Sequence, residues 1–198
     1  MFRSLLACLA ACAVPTAALA QSTAYEGFDY PAGSALNGLS GGTGWATNWS
    51  TGSPLTVAPG SITPPAPANT LLTTGNRLDM PVTGSFTTAS RTLSTNLAAV
   101  NGGDVWLSFV ITRKTDTPSG SSLYGGVVIG NDAGSGNSGR LFIGDPESVS
   151  DVWALQRAGG GATAQSNYVV SSNPTALLVA HIVFNPNGAD SVSLYVNR

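Results

Sequence analysis

Short runs of Val, Ile, Thr and aromatic residues, separated by clusters of Gly, Asn, Ser and Pro, make up most of this chain. No stretch of three turns has the apolar periodicity of an amphipathic helix, so the pattern is one of strands and turns. Many short strands with turn signals between them favour an all-β fold, a sandwich of two antiparallel sheets, over a parallel α/β sheet. The best strand predictions are 104–113, 124–129, 140–144, 152–157, 176–184 and 191–197, with weaker ones at 77–80 and 86–93.

The N-terminus has the features of a secretory signal peptide over residues 1–20. Arg3 supplies the basic start, residues 5–14 are apolar, and Ala18-Leu19-Ala20 forms a cleavage site before Gln21. The apolar run is too short to span a bilayer, which takes about 20 residues. We therefore predict a secreted protein, cut after Ala20, with no transmembrane segment afterwards. Leu9-Ala10-Ala11-Cys12 resembles a lipoprotein-processing box, so lipidation at Cys12 stays open as an alternative.

Composition narrows the chemistry of the remaining segment, 21–198, which is long enough for one domain with its own core. Both cysteines, Cys8 and Cys12, precede the cleavage site. Disulfides, thiolate nucleophiles and Cys-ligated zinc are therefore not expected. Only 9% of the residues are charged and the net charge is −2, which removes the basic patch that nucleic-acid binding requires. Residues 52–69 contain five prolines and are predicted to form an extended loop.

Alternation along the predicted strands assigns side chains to faces. In 104–113 one face is apolar, whereas the other carries Trp106, Ser108, Val110 and Thr112. In 191–197 the mixed face carries Ser193, Tyr195 and Asn197. The segment 176–184 is apolar on both faces and is predicted to be a central strand.

The face occupied by His181, the only histidine, depends on the loop between the last two strands. A loop of even length pairs His181 with Leu194 and turns it towards the core. A loop of odd length pairs it with Ser193 and places it beside Tyr195 on the mixed face. In either case a lone histidine without a G-x-S-x-G nucleophile elbow favours a structural role over catalysis.

Several motifs together resemble one known family. They are EGFDYPAG (26–33), LNG (36–38), GGTGW (41–45), WLSF (106–109), RLFIG (140–144) and SLYVN (193–197). The chain resembles the concanavalin-A-like lectin/glucanase (laminin-G-like) jelly rolls of exported bacterial proteins, many of the PEP-CTERM type. The resemblance covers nearly all of 24–197. It implies two antiparallel sheets, one of them concave, and carbohydrate binding as the commonest role.

The end of the chain departs from that family pattern. Such proteins usually continue after the SLYVN strand with a Pro-rich link and further strands, whereas this sequence stops at Arg198. A jelly roll cut at this point would leave a sheet position empty and a strand edge exposed. We therefore expect a jelly roll that is incomplete at its C-terminus.

The acidic residues do not predict an enzyme. Glycoside hydrolysis needs two carboxyl groups on one face, about 5 Å apart or further. Glucanases of the family that the chain resembles usually carry them as E-x-D-x-E or E-x-D-x-x-E on one strand. Neither motif occurs in the sequence. Glu26 and Asp29 would fall on opposite faces of a strand, and Glu147 and Asp151 flank a loop. All four are expected to be solvated loop acids.

Aromatic rings and neutral amides are the side-chain groups expected to bind a carbohydrate, since a ring stacks on the C–H groups of a sugar. The proposed binding residues are Trp106, Tyr195, Trp153 and Asn197. Packing inside a sandwich is the alternative role for each tryptophan, and Trp45 and Trp49 would then fix the N-terminal loop. No cofactor is expected except possible calcium, for which the oxygen-rich residues are Asn131, Asp132 and Asn137.

Three functional hypotheses follow. The first is a secreted or cell-surface, non-catalytic β-sandwich that binds an extracellular polysaccharide weakly, as a lectin does. The second is a purely structural domain of the surface or matrix without a small ligand. The third, a glycoside hydrolase, is disfavoured because the carboxylate pair is missing.

Overall fold

The computed structural model describes residues 24–68, 71–80, 87–97, 102–113, 125–130, 140–146, 151–157, 163–172 and 174–197. The predicted signal peptide 1–20, Cys12, Glu147 and the calcium candidates Asn131, Asp132 and Asn137 lie outside these ranges. Within them the chain is all-β, with antiparallel sheets and no α-helix. The strands are β1 Ser50–Thr51, β2 Val57–Ala58, β3 Arg77–Leu78, β4 Ala89–Ser90, β5 Asp104–Thr112, β6 Gly125–Ile129, β7 Leu141–Asp145, β8 Val152–Arg157, β9 Thr163–Val169, β10 Thr175–Val183 and β11 Ser191–Val196.

The N-terminal part is built from short pairings. β1 pairs with β4 and β2 pairs with β3, both antiparallel, and three isolated bridges add to them. Turn residues and prolines break this part into two-residue strands, because proline cannot donate to a ladder. This part has a small apolar core of its own. Its buried members are Tyr30, Leu36, Leu55 and Val57, and the partly buried side chains packed against them are Phe28, Leu39, Trp49, Leu78 and Ala89.

The longer strands form two antiparallel sheets. One has three strands in the order β11-β10-β5, so β10 is central, as its apolar sequence predicted. The other has four strands in the order β6-β7-β8-β9, each paired with the next along the chain. The register of β8 with β9 shifts between Val152 and Ala154, where a bulge interrupts the ladder.

The two longer sheets share one hydrophobic core. Ile143, Trp153 and Leu155 enter it from the four-stranded sheet, and Leu178 and Val196 enter it from the three-stranded sheet. Alternation explains this arrangement, because every second residue of β5, β10 and β11 points to the same side. The opposite face of the three-stranded sheet is then left with the mixed set of side chains.

Candidate functional site

The outer face of the three-stranded sheet brings Trp106, His181 and Ser193 into one row. The register pairs His181 with Trp106 of β5 on one side and with Ser193 of β11 on the other. Val183 pairs with Ser191, so the connecting residues 184–190 are odd in number. The odd-length alternative for the hairpin is therefore confirmed, and His181 lies on the mixed face.

Three rings form what we call the aromatic platform: Trp106, His181 and Tyr195. The centroids of Trp106 and His181 are 4.0 Å apart with an interplanar angle of 9°. The centroids of Trp106 and Tyr195 are 6.0 Å apart with an angle of 20°. Trp106 is 58% exposed although one ring face lies against His181. Much of the Trp106 ring surface is therefore accessible to a ligand, although His181 and Tyr195 both stack against it.

Asp104 holds the platform in position. Its Oδ2 lies 2.7 Å from His181 Nε2 and accepts a hydrogen bond of 3.1 Å from Trp106 Nε1. The hydrogen bond with His181, followed by that from Trp106, lowers the pKa of Asp104 below its usual value. One carboxylate thus fixes two of the three rings, which reduces the side-chain freedom that binding would otherwise remove.

The chemistry of this surface suits a neutral polyhydroxy ligand. A flat, partly apolar ring face can cover the C–H groups of a sugar. The hydroxyls of Ser108 and Ser193 are exposed on the same sheet face and can exchange hydrogen bonds with sugar hydroxyls. Of the residues proposed to bind a sugar, the structure therefore brings Trp106 and Tyr195 together. Asp104 and His181 lie beside them on the same sheet face.

Trp153 and Asn197 are not brought to this surface. Trp153 is 0% exposed and fills the core, so its ring has no face towards solvent. Asn197 is 5% exposed, and its backbone and side chain both bond to the central strand. Its N–H donates to the Leu177 carbonyl, and its Oδ1 accepts from the Leu177 N–H, each at 2.9 Å. Asn197 thus secures the end of β11 against β10.

Replacement of Asn197 tests that placement. Asn197 has φ of 55°, so Asn197→Ala loses the acceptor for Leu177 and also strains the backbone. We expect the free energy of unfolding to fall by about 2–3 kcal/mol. Asn197→Gly removes the acceptor alone and should cost about 1 kcal/mol. Urea unfolding measures both, and two variants as stable as the wild type would contradict this role.

A second polar cluster surrounds Glu26, a residue that the sequence did not single out as structural. Glu26 Oε2 accepts hydrogen bonds from Arg91 Nη1 at 2.6 Å and from Tyr30 Oη and Trp49 Nε1 at 3.0 Å each. Its Oε1 accepts from the Phe28 N–H at 2.9 Å. The ion pair is buried, with side-chain exposures of 3% for Arg91 and 9% for Glu26. The expectation of a solvated loop acid is therefore wrong for Glu26.

The indole rings of Trp45 and Trp49 flank the same arginine. Arg91 Cζ lies 4.9 Å from the ring centroid of Trp45 and 5.4 Å from that of Trp49. Nη1 and Nε of Arg91 also donate to the carbonyls of Gly41 and Thr47. Both tryptophans thus fix the N-terminal loops through Arg91, which is the packing role considered for them above.

A third cluster joins Arg113 to two carboxylates. Arg113 Nη1 lies 2.6 Å from Asp151 Oδ1 and 3.2 Å from Asp145 Oδ2. Asp151 also accepts from the backbone N–H of Ser171 at 3.1 Å and bonds to the Ser171 hydroxyl. Asp151 is thus tied into the fold rather than left as a solvated loop acid. Because both carboxylates contact one guanidinium, this cluster also has a structural explanation.

Burial raises the pKa of Asp145 to about 6, and the negative charge of Asp151 adds to the effect while Arg113 opposes it. The folded state therefore binds a proton more tightly than the unfolded state. Stability should rise as the pH falls from about 6 towards 4 and should lose that gain as the pH increases again. We expect about 1–2 kcal/mol from this group, allowing for its partial contact with solvent.

The pH dependence of Asp145→Asn measures this contribution. The difference in unfolding free energy between wild type and variant should change across pH 4–7, because only the wild type has a titrating group at position 145. Asp79→Asn, at an exposed carboxylate, serves as the control. A difference that stays constant over this range would contradict the raised pKa.

The described ranges contain no group of three or more His, Cys, Asp or Glu side chains that could hold a metal ion. In the same ranges, no helix is long and apolar enough to cross a membrane. Comparison of the chain with family models, curated proteins and solved structures finds no match.

Proposed function

We propose that this protein is a non-catalytic, glycan-binding domain of the concanavalin-A-like jelly-roll type. The single observation that carries the proposal is the aromatic platform, in which Trp106 stacks with His181 and Tyr195 and is still 58% exposed. Tryptophan and tyrosine are enriched at interfaces, where the ring packs against a partner and its polar group is hydrogen-bonded. Asp104 accepts a hydrogen bond from Trp106 Nε1, which favours the observed orientation of the ring.

The proposed mechanism is stacking plus neutral hydrogen bonds. A sugar ring lies on the exposed surface of the Trp106 ring, while the Ser108 and Ser193 hydroxyls exchange hydrogen bonds with its hydroxyl groups. Such a shallow surface buries little area, so a single site should bind weakly and gain strength through repetition. The signal peptide predicted over 1–20 would deliver the domain to the cell surface or beyond, where polysaccharides are found.

Thermal unfolding of the 21–198 chain against a panel of polysaccharides tests the proposal. Soluble glucans, mannans and xylans are added with calcium or with chelator, and alginate serves as the anionic comparison. A ligand at 100 times its Kd stabilises the folded state by about 2.7 kcal/mol. For a domain of this size that corresponds to a Tm increase of about 5–10 °C.

The outcomes of that panel are distinct. A neutral polysaccharide that raises Tm supports the glycan-binding function, and loss of the shift in chelator would add calcium to the site. A cooperative transition that no neutral polysaccharide moves contradicts the proposal and leaves the structural role. Stabilisation by alginate alone would contradict the neutral chemistry proposed for the site.

A further inference from the structure

A cleft lies beside the aromatic platform, between the edge strands of the two longer sheets. β11 ends the three-stranded sheet and β9 ends the four-stranded sheet. Residues of these two strands line a cavity of about 420 Å³, which adjoins a smaller one of about 290 Å³ along the same strands. Both cavities are open to solvent, so together they form a shallow cleft rather than a closed pocket.

The chemistry of the cleft is neutral and suited to sugars. Gln165, Ser166, Asn167 and Tyr168 of β9 line one side of the cleft, and Tyr168 is exposed. Leu194 and Tyr195 of β11 form the facing side. Among the described residues that line the cleft, none is Asp, Glu, Lys or Arg. Amide and hydroxyl groups beside apolar rings are the hydrogen-bonding and stacking partners of an uncharged carbohydrate.

Tyr195 belongs to both features, which makes them one continuous surface. Its ring stacks with Trp106 on the outer face of the sheet. The same residue lines the cleft opposite Gln165–Tyr168. A ligand seated on Trp106 can therefore continue past Tyr195 and over the edge of β11 towards Tyr168.

We infer that the ligand of the aromatic platform is the interior of a long, neutral polysaccharide, whose further sugar units occupy the cleft between β9 and β11. This inference rests on the proposed glycan-binding function and adds the ligand class. A site that accepted only a chain end or a single sugar would need a closed pocket. Here the platform is open and leads into a second open cleft, so several consecutive sugar units are contacted at once.

The test is the dependence of affinity on chain length. Glucan, mannan and xylan fragments of two to eight sugar units are titrated by calorimetry or NMR into the wild type. We expect Kd for the matching polysaccharide to fall at least tenfold between two and six units and to level off afterwards. Reducing-end modification of the longest fragment should leave Kd unchanged, since interior units are bound.

Three variants separate the cleft from the platform. Tyr168→Ala should raise Kd about five- to tenfold for the long fragments and leave Kd for the shortest unchanged. Trp106→Ala should raise Kd for every length. Tyr25→Ala is the matched control, because Tyr25 is an exposed tyrosine that does not line the cleft, and it should change neither value.

The possible failures are distinguishable. An unchanged Kd in Trp106→Ala would overturn the platform and with it the proposed function. If Trp106→Ala weakens binding as expected but Kd does not depend on the number of sugar units, the role of the cleft is overturned and the platform is not. A Kd for the long fragments that is as unchanged in Tyr168→Ala as in Tyr25→Ala would also overturn the role of the cleft. Thermal unfolding of each variant verifies that it is folded.

Discussion

Arg91→Ala is expected to lower the free energy of unfolding by about 3–5 kcal/mol, the largest effect of any single substitution considered for this protein. The variant leaves the Glu26 carboxylate buried without its cation, although Tyr30 and Trp49 still donate to it. It also removes the cation that lies against the rings of Trp45 and Trp49. Urea unfolding, followed by tryptophan fluorescence, measures the loss.

The chain offers a matched control in Arg77, whose ion pair with Asp79 has side-chain exposures of 35% and 36%. Exposed pairs of this kind contribute about 0–1 kcal/mol, and Arg77 Nη1 also donates to the exposed carbonyls of Pro59 and Gly60. Arg77→Ala should therefore cost about 1–2 kcal/mol, less than Arg91→Ala. The double variant Glu26→Gln, Arg91→Ala should recover part of the loss, because it removes the unpaired charge. Equal losses in Arg91→Ala and Arg77→Ala would contradict the structural role of the buried pair.

Trp106→Ala is expected to weaken binding of the stabilising polysaccharide by at least tenfold, about 1.4 kcal/mol or more. Removal of the ring takes away the stacking surface, while Asp104 and His181 can still bond to each other. The stability of the fold should change by less than about 1 kcal/mol, because the Trp106 side chain is mostly exposed. Calorimetric titration measures the affinity, and urea unfolding measures the stability.

Trp106→Phe is the control for the aromatic nature of the contact. It keeps a ring against His181 but lacks the Nε1–H that Asp104 accepts, so it should bind with intermediate affinity. Binding that is identical in the wild type, Trp106→Phe and Trp106→Ala would place the glycan elsewhere on the molecule.

Alternation and turn signals predicted much of the all-β fold. The six strongest strand predictions correspond to β5, β6, β7, β8, β10 and β11, because each run contains enough Val, Ile, Leu or aromatic residues. β9, Thr163–Val169, was not predicted. Its sequence is largely polar, since it is an edge strand, and hydrophobic pattern carries no signal there.

The platform could be predicted only in part. Trp106 and Tyr195 followed from period-two alternation, which fixes a side chain to one face once the strand is known. The position of His181 depended on the parity of the loop 184–190, which no local pattern determines. Trp153 lies on the same face of β8 as Leu155, and both are in the core, so alternation along that strand does account for its burial. Asn197 has a left-handed conformation, which counting along a strand does not predict.

The ion pair of Glu26 and Arg91 had no signal in the sequence. The two residues are 65 positions apart, and the loops that bring them together contain few periodic apolar residues. Contacts of this kind depend on the path of irregular backbone, which turn propensities describe only locally. Asp151 was likewise predicted to be a solvated loop acid from its spacing along the chain alone. Its partners Arg113 and Ser171 come from distant segments of the sequence.

The most direct test of glycan binding at the platform is NMR observation of the four tryptophan indole N–H signals during titration with the stabilising polysaccharide's fragments. Trp106→Phe assigns the Trp106 signal by its disappearance. Trp106 is the one exposed tryptophan, since Trp45 and Trp49 are partly covered and Trp153 is buried. The proposal predicts a saturable shift of the Trp106 signal with little change in that of Trp153. Saturable binding that leaves the Trp106 signal unmoved would contradict it.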